Sequence, residues 1–289
     1  NVQIFTEVPK RVLVVGDNET ETLIELGAAS SILLAAANND GPFPMKEENA
    51  RILETLPRAM NQQLHMEYVM QARPDLIIGW SHHFTPEALG DVYSYIDRGV
   101  GAYIVPATVR RGHPTLEETV YPFIADMGHI FGVEDRAAAY TNGLKERVAA
   151  VEMRTQARGR RYTAMILQAH GNSLYSMYGP AYIIDDIARK AGADNIVDRQ
   201  MRSVGPERVL GFAPEVIIYV NAKDRTEEEA RAELRGDPNL QNMKAVRENR
   251  IVIVNFSDVN NGNGRCITAL EDIETGLDAL GDESERIKR

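Results

Sequence analysis

Aromatic and imidazole side chains cluster at the ends of β-branched stretches of this sequence, and side chains of these types can contact planar ligands or ligate a metal ion. Four of the six histidines and the only tryptophan follow such stretches. Ferric iron and haem accept imidazole and phenolate groups as ligands, and an indole ring offers a flat face to a ligand ring. The candidate ligand-binding residues of this type are Trp80, His82, His83, His113, His170, Tyr175 and Tyr178.

Polar side chains at other stretch ends extend this candidate set. Arg110 and Arg111 are adjacent, and a guanidinium fork binds carboxylate or catecholate oxygens such as those of an anionic ferric chelate. Plainer interpretations stay open for the whole set: a solvated arginine pair, a core tryptophan, hydrogen-bonded histidines, or tyrosines that line a purely organic pocket. The remaining candidates are Asn18, Asn221, Phe256 and Asn260.

The histidines also allow a different kind of site. His82 and His83 are neighbours, and on an extended chain neighbouring side chains face opposite ways, so we expect only one of them to reach a ligand. Together with His113 and His170 they allow imidazoles to hold a bare divalent metal. Because these spacings match no short metal-binding motif, we rank bare metal binding below chelate binding and assign no metal ligand.

The sequence offers little that is typical of catalysis. No nucleophile stands with an evident base, and no pair of carboxylates stands out. The segment Gly262-Asn263-Gly264 is followed by Arg265 and Cys266, so neither common nucleotide-binding pattern is completed. We expect a binding protein without catalytic residues or a cofactor, and a chelatase-like enzyme built on similar lobes is the alternative.

The candidate residues must be positioned by the elements that precede them. Short β-branched runs alternate with helical patterns, which is typical of βαβ units and parallel sheets. Ligands of open α/β sheets bind beyond the carboxyl ends of the strands, where these candidates lie. The predicted strands cover residues 11–15, 32–36, 76–79 and 102–105, and then 162–169, 216–220 and 251–255.

A long helix is predicted between the two groups of strands. Residues 136–156 carry a narrow apolar stripe on an otherwise charged helix. The predicted fold class is therefore α/β, with two Rossmann-like lobes joined by one long helix. We expect an N-terminal lobe at 1–114, connecting helices at 115–158 and a C-terminal lobe at 159–289 that ends in a frayed tail from Gly281.

An internal repeat relates the two halves of the chain. Residues 66–78 align without a gap with residues 206–218, and both copies share Glu, Val, Pro and two Ile. The proline in each copy ends a short helix and directs the chain into a strand. The repeat predicts two lobes of similar construction and makes Glu67 and Glu207 equivalent residues.

Charge and composition exclude some classes of protein. Asp and Glu outnumber Lys and Arg by 42 to 32, and the net charge of −10 argues against a nucleic-acid partner. Cys266 is the single cysteine, which rules out an internal disulfide and any multi-cysteine cluster. No apolar run has the length of a membrane span. The chain begins at Asn1 and not at Met, as expected of a processed or trimmed product.

Several motifs in their order resemble one known family, the siderophore, haem and vitamin B12 class of ABC-transporter substrate-binding proteins. The first lobe carries PKRVLVV at 9–15, ETLIELG at 21–27 and RPDLIIGW at 73–80. The second lobe carries YIIDDIARKAGADNI at 182–196 and MKAVRENRI at 243–251. Each motif alone is weak, but their order and spacing are specific, and the resemblance runs from about residue 9 to residue 280.

This resemblance implies a fold and a function. It implies two α/β lobes joined by one rigid helix, a ligand cleft between the lobes, and a monomer that captures a small-molecule metal chelate for the dimeric permease of an ABC importer. Glu67 and Glu207 match the acidic positions with which the family docks on its permease. We expect a ferric siderophore as ligand, with haem or a corrinoid as the alternative. The expected location is extracytoplasmic, either periplasmic or lipid-anchored with the anchor absent from this chain.

Overall fold

The computed structural model of the chain describes residues 3–37, 45–59, 64–109, 112–260 and 262–286. The chain forms two compact units. Unit 1 comprises Asn1–Val109, Glu117–Gly143 and Asn261–Asn263, and unit 2 comprises Arg110–Leu116, Leu144–Asn260 and Gly264–Arg289. Among the residues that the structure describes, no helix has the length and apolar composition needed to span a bilayer.

Unit 1 contains a four-stranded parallel sheet with the strand order β2-β1-β3-β4. Its strands are short and largely buried, as the continuous apolar runs predict for a parallel sheet covered on both faces. Two of the four predicted strand ranges are reproduced to the residue. The strands are β1 (Val12–Val15), β2 (Ile32–Ala36), β3 (Leu76–Gly79) and β4 (Gly101–Ile104).

Over the described residues, four helices of unit 1 lie between these strands along the chain, and a fifth follows β4. The first ends before Gly27, which adopts a φ of 73°, a left-handed conformation that glycine accepts without strain. A wide π-helical turn, Leu116–Val120, precedes the fifth helix, and Pro122 lies in that helix's first turn, where a missing N–H costs nothing. The helices are α1 (Asp17–Glu25), α2 (Glu47–Leu53), α3 (Met66–Ala72), α4 (Val92–Ile96) and α5 (Tyr121–Phe131).

The predicted long helix is α6 (Glu134–Arg158). It begins in unit 1 and continues in unit 2 after Gly143. Its apolar stripe is buried at Leu144, Val148 and Val151, which agrees with the helical spacing of these residues in the sequence. The structure confirms the predicted α/β class with two sheet-containing lobes and one long helix.

Unit 2 contains a six-stranded mixed sheet with the order β10-β9-β5-β6-β8, and β7 pairs with β5 beside this path. The strands are β5 (Tyr162–Gly171), β6 (Leu174–Met177), β7 (Ala193–Asn195), β8 (Met201–Val204), β9 (Val216–Asn221) and β10 (Ile251–Asn255). The helices are α7 (Ile183–Lys190), α8 (Pro206–Val209), α9 (Glu227–Gly236), α10 (Lys244–Arg247), α11 (Phe256–Asn260) and α12 (Cys266–Arg286).

Three ion pairs fasten α6 to α12 within unit 2. Arg147 forms a two-pronged pair with Glu271, at 2.9 and 2.7 Å. The pairs of Arg154 with Glu274, at 2.8 Å, and of Arg158 with Asp278, at 2.5 Å, continue the row. Paired guanidinium and carboxylate groups set the register of two helices as well as their contact. The register between α6 and α12 is therefore held by charge as well as by apolar packing.

The C-terminal segment differs from the sequence-based expectation. We predicted a frayed tail from Gly281, but α12 continues through this glycine to Arg286. The preceding turns bury Ile273 and Leu277 completely, and Leu280 is 8% exposed. Because elongating a helix that is already anchored avoids the cost of nucleation, the helix continues through residues that would not start one alone.

A hairpin in unit 2 was also not predicted. The chain after β5 turns at Asn172 and Ser173, whose φ values of 51° and 57° are those of a type I′ turn, and returns as the antiparallel strand β6. Asn-Ser is a weaker hairpin signal than Asn-Gly, and β6 has only four residues. The sequence therefore predicted an open loop, and not a hairpin, after β5.

The internal repeat is confirmed as a pair of helix–turn–strand segments, α3–β3 and α8–β9. In unit 1 the Asp75 carboxylate accepts the backbone N–H groups of Lys10, at 2.8 Å, and Arg11, at 3.1 Å. In unit 2 the equivalent Glu215 accepts the backbone N–H of Thr163 at 2.9 Å. Each acid thus binds backbone N–H groups at the start of the neighbouring strand, which ties the turn to the sheet in both units.

Candidate functional site

The carboxyl end of β3 carries the most open group of predicted ligand residues. Trp80 caps a short 3₁₀ turn, Ser81–His83, and its backbone N–H donates to His83 Nδ1 at 3.0 Å. The Ser81 hydroxyl donates to the Thr108 carbonyl at 2.7 Å, and the Ser81 N–H donates to the Thr108 hydroxyl at 3.0 Å. These bonds fix the turn to a second 3₁₀ turn, Pro106–Thr108, which follows β4.

Three rings stand together on this turn. The ring centre of Trp80 lies 5.2 Å from that of His82, edge to face, and 6.0 Å from that of His83, nearly stacked, while the two imidazoles are 4.3 Å apart. His82 is exposed, and the other two rings are half-buried. The expectation that the two histidines face opposite ways is wrong, because they lie on a 3₁₀ turn and not on an extended chain. We call Trp80, His82 and His83 the ring cluster.

His83 is held as a neutral imidazole. Burial, together with the neighbouring His82, lowers the pKa of His83 to about 4. Because Nδ1 accepts the Trp80 N–H, the hydrogen of the neutral ring sits on Nε2. This ring can therefore donate one hydrogen bond near neutral pH, and it is not set up as a metal ligand.

Glu19 belongs to this site but is absent from the candidate set, in which Asn18 alone represents the segment after β1. It is 0% exposed, and the Trp80 indole N–H donates to its Oε1 at 2.8 Å. Burial is the main cause that raises the pKa of Glu19 to about 8. The available signal was its position directly after the predicted strand 11–15, since α1 begins at Asp17 and places Glu19 in its first turn.

Asn18 is also buried inside unit 1. It is buried in the first turn of α1, where its carbonyl accepts the Thr22 hydroxyl at 2.8 Å and the Asn263 side-chain N–H at 3.2 Å. The expectation of a loop residue after β1 is wrong because α1 starts directly after Gly16. These contacts favour a structural role for Asn18.

The two candidate tyrosines of unit 2 are buried and hydrogen-bonded inside the unit. Tyr175, in β6, donates its hydroxyl to Asp237 at 2.5 Å, and Tyr178 donates to Gln168. Burial and the Asp237 bond raise the pKa of Tyr175 above its usual range, which opposes the phenolate that ferric iron prefers. The expectation of an open tyrosine loop is wrong because the β5–β6 hairpin folds these rings into the unit 2 core.

The remaining candidates of unit 2 differ from one another in exposure and in hydrogen bonding. His170 is exposed, with Nε2 hydrogen-bonded to the Ser176 hydroxyl at 2.7 Å. Asn221 is fully buried and forms a turn with Arg225, accepting its Nε at 2.9 Å. Phe256 is half-buried at the start of α11.

Four further candidates complete the account. Asn260 is buried at the end of α11, and its Oδ1 lacks a hydrogen-bond partner among the described residues. His113 is exposed in the segment that belongs to unit 2. Arg110 and Arg111 lie outside the described residues, so their role stays a prediction.

The two predicted docking residues are placed alike. Glu67 is exposed in the first turn of α3, and Glu207 is exposed in the first turn of α8. Over the described ranges, neither carboxylate forms a hydrogen bond or an ion pair. Each glutamate is therefore available to a partner's cation.

A separate pocket of about 780 Å³ lies in unit 1. Its lining combines the N-terminal segment 3–8 with the first residue of β3, Leu76, and with Tyr103, which donates its hydroxyl to Asp126 at 2.6 Å. It contains none of the predicted ligand residues. Over the described part of the chain, no three His, Cys, Asp or Glu side chains are grouped to hold a metal ion.

Comparisons with known proteins agree with this architecture. The sequence matches the family described as periplasmic binding protein over residues 12–256. A comparison with curated proteins finds no match.

Among solved structures, similar ones include an ABC-type Fe3+-hydroxamate transport system from Saccharomonospora viridis DSM 43017, with a TM-score of 0.78 and 23% identity over 94% of each chain. A periplasmic haem-binding protein from Roseiflexus sp. RS-1 has a TM-score of 0.70 and 18% identity over 92% of this chain and 97% of its own. The periplasmic vitamin B12 binding protein of Vibrio cholerae has a TM-score of 0.69 and 19% identity over 94% of this chain and 98% of its own. At these identities the likeness establishes the fold.

Proposed function

The chain belongs to the periplasmic binding protein family, and on that premise we propose that it is the extracytoplasmic substrate-binding protein of an ABC importer. Its proposed substrate is a ferric siderophore, bound intact and without a catalytic step. The observation that carries this proposal is the ring cluster at the carboxyl end of β3, which offers one half-buried indole and one exposed imidazole on a fixed turn.

The chemistry of the ring cluster suits a rigid organic surface. The indole face of Trp80 packs against apolar or planar parts of a chelator. His83, neutral near pH 7, offers an Nε2–H donor to carbonyl or hydroxamate oxygens. Arg110 and Arg111 are proposed to bind the anionic oxygens of the chelate, on the chemistry of their side chains alone. The similar protein named for Fe3+-hydroxamate transport makes the hydroxamate class the first choice of probe.

Haem is the second candidate, and one observation favours it. His82 is exposed beside Trp80. An accessible imidazole next to an aromatic face is able to act as an axial ligand while the ring supports the macrocycle. The similar haem-binding protein from Roseiflexus sp. RS-1 gives the same suggestion.

Calorimetric titration with matched ligands tests the proposed substrate. The panel comprises a ferric trihydroxamate, its iron-free form, haem and cyanocobalamin. We expect saturable 1:1 binding of the ferric form, with weaker binding of the iron-free chelator, which lacks the preorganised shape. Binding of haem or cobalamin without any binding of ferric chelates contradicts the siderophore assignment.

Glu67 and Glu207 are proposed to dock on cationic side chains of the permease. Both are exposed and occupy equivalent positions of the repeated segment. We expect Glu67→Ala and Glu207→Ala each to lower ligand uptake in a reconstituted importer by roughly 10-fold, because each removes one charge pair at the interface. Ligand affinity should not change.

Matched controls separate docking from general charge effects. Glu48 on α2 and Glu228 on α9 are exposed helix glutamates of unit 1 and unit 2, respectively. Glu48→Ala and Glu228→Ala should leave uptake unchanged. A loss of ligand affinity in the Glu67 or Glu207 variant, or an equal loss of uptake in the controls, contradicts the docking role.

A further inference from the structure

We propose that Glu19 is a positioning residue for Trp80, and that its ionisation determines which charge class of chelate the ring cluster accepts. This inference rests on the proposed function, because it assumes that the ligand contacts Trp80. It adds a buried residue that contacts the Trp80 indole and affects the ligand only by way of that ring.

A hydrogen bond and close packing hold Glu19 against Trp80. Oε1 accepts the indole N–H at 2.8 Å, and the carboxyl group is 0% exposed. Gly16 packs directly on this carboxyl: a Cβ at Gly16 would overlap Glu19 Oε2, and the φ of 126° also requires glycine. Strand β1, α1 and the turn after β3 thus meet at one buried acid, which fixes the plane of the indole.

The environment of the second carboxyl oxygen, Oε2, disfavours the ionised form of Glu19. Oε2 is buried and has no hydrogen-bond partner among the described residues. An ionised carboxylate there would leave charge uncompensated, which is costly in a buried site. A protonated carboxyl carries its hydrogen on Oε2 and still accepts the indole N–H through Oε1.

The surrounding groups do not neutralise a negative charge. Burial is the largest cause that raises the pKa of Glu19, and the bonds from the backbone and from Trp80 oppose it only in part. Asp17 on α1 adds a smaller increase, and the resulting pKa is about 8. The other titratable groups beside the pair are His82 and His83 on the turn after β3, and His83 is neutral above about pH 4. No lysine or arginine of the described residues contributes to this pKa.

A consequence for ligand choice follows from these contacts. Below about pH 8 the acid behind Trp80 is neutral, and an anionic chelate meets no opposing charge there. Above that pH a buried negative charge stands behind the indole and repels an anionic chelate, while an uncharged chelate is little affected. Ferric tris-catecholates are highly anionic, and some ferric trihydroxamates are uncharged, so the two classes should respond differently to pH.

The first test uses the ligand-free protein. Trp80 is the only tryptophan, so tryptophan emission reports on this ring alone. We expect the emission of the wild-type protein to titrate with a midpoint near pH 8, and the emission of Glu19→Gln to stay constant over the same range. Glu21→Gln, which changes another buried glutamate of α1, is the control and should titrate like the wild type. Equal titrations of wild type and Glu19→Gln overturn the inference.

The second test measures affinity. From about pH 7 to about pH 9, wild-type affinity for a ferric tris-catecholate should fall by roughly 10-fold, with a smaller change for an uncharged ferric trihydroxamate and no pH dependence for either in Glu19→Gln. At pH 7, Glu19→Ala should weaken trihydroxamate binding by roughly 10-fold because the indole N–H loses its acceptor. Glu19→Gln, which keeps an amide oxygen there, should restore the affinity.

The two tests fail in different ways. If no chelate binds the wild-type protein, the proposed function is wrong, while the emission titration still decides whether Glu19 controls Trp80. If chelates bind but Glu19→Gln keeps the wild-type pH profile, the proposed function stands and the role of Glu19 is wrong.

Discussion

The ring cluster of unit 1 and the two candidate tyrosines of unit 2 have opposite surroundings. In unit 1, Trp80 and His82 keep ring surface open to solvent, and a buried acid, Glu19, holds the indole from behind. In unit 2, Tyr175 and Tyr178 are buried, and their hydroxyls donate to partners within the unit. Aromatic content alone therefore does not identify an accessible surface, because similar residue types are partly exposed in one unit and packed in the core of the other.

The supporting segments of the two units differ far less. Asp75 and Glu215 follow the repeated proline, and each accepts backbone N–H groups at the start of a neighbouring strand. The glutamates at the helix starts, Glu67 and Glu207, are exposed in both copies. The repeat thus preserves the turn and the outer glutamate, while the residues at the strand ends have diverged.

The largest expected effect is that of Glu19 on the pH dependence of the free energy of unfolding, for which unit 2 should show no counterpart at Tyr175. Its folded-state pKa of about 8 lies above the ordinary value of 4.5, so the unfolded chain releases this proton first as the pH rises. The free energy of unfolding should therefore decline between these two pH values, by up to about 5 kcal/mol at roughly 1.4 kcal/mol per pKa unit. Glu19→Gln removes this contribution.

Urea unfolding followed by far-ultraviolet circular dichroism at a series of pH values measures the difference between wild type and Glu19→Gln. Tyr175→Phe in unit 2 is the counterpart, and it should leave the pH slope unchanged because burial and Asp237 keep this phenol neutral. A wild-type slope that persists in Glu19→Gln would show that Glu19 is not buried as a neutral acid.

The next prediction tests whether the two repeated strands contribute equally to the stability of their units. Ile78 in β3 and Ile218 in β9 occupy the same position of the repeat, and both are 0% exposed. Ile78→Ala and Ile218→Ala should each lower the free energy of unfolding of their own unit by about 2–5 kcal/mol, because each leaves a cavity in a packed core. Thermal unfolding by calorimetry resolves the two units if they unfold separately. A near-neutral result for one variant would show that the repeat is not structurally equivalent.

The smallest effect concerns the acids after the repeated proline. Asp75→Ala and Glu215→Ala each remove an acceptor from backbone N–H groups in half-exposed surroundings, so the expected loss is about 1 kcal/mol. Asp75→Asn and Glu215→Gln, which keep one acceptor oxygen, should lose less. Chemical unfolding midpoints measure all four variants, and a loss at only one of the two positions would contradict the shared role.

Much of the fold was predictable from local sequence. The continuous apolar runs of Ile32–Ala36 and Leu76–Gly79 defined buried strands to the residue, because flanking turn residues bound them closely. The C-terminal part of α12 and the strand β6 were missed. In both cases the local sequence is charged or short, and the structure is imposed by neighbours: the buried face of α12 and the edge of β5.

The candidate site was predictable only in part. The rule that ligands bind beyond strand ends placed Trp80, His82 and His83 together, because they are consecutive or nearly so in the sequence. Glu19 was not selected, since its partner lies 61 residues away and an acid is usually exposed. Tyr175 was placed in a loop because the hairpin that buries it depends on pairing with β5.

Titration of Trp80 emission with a ferric trihydroxamate is the measurement that tests the central claim most directly. A chelate that lies on the ring cluster must change the emission of this single tryptophan. We predict a saturable change at 1:1 stoichiometry, with the same affinity that calorimetry gives. Calorimetric binding of the chelate with an unchanged Trp80 emission would place the ligand elsewhere and contradict the role of the ring cluster.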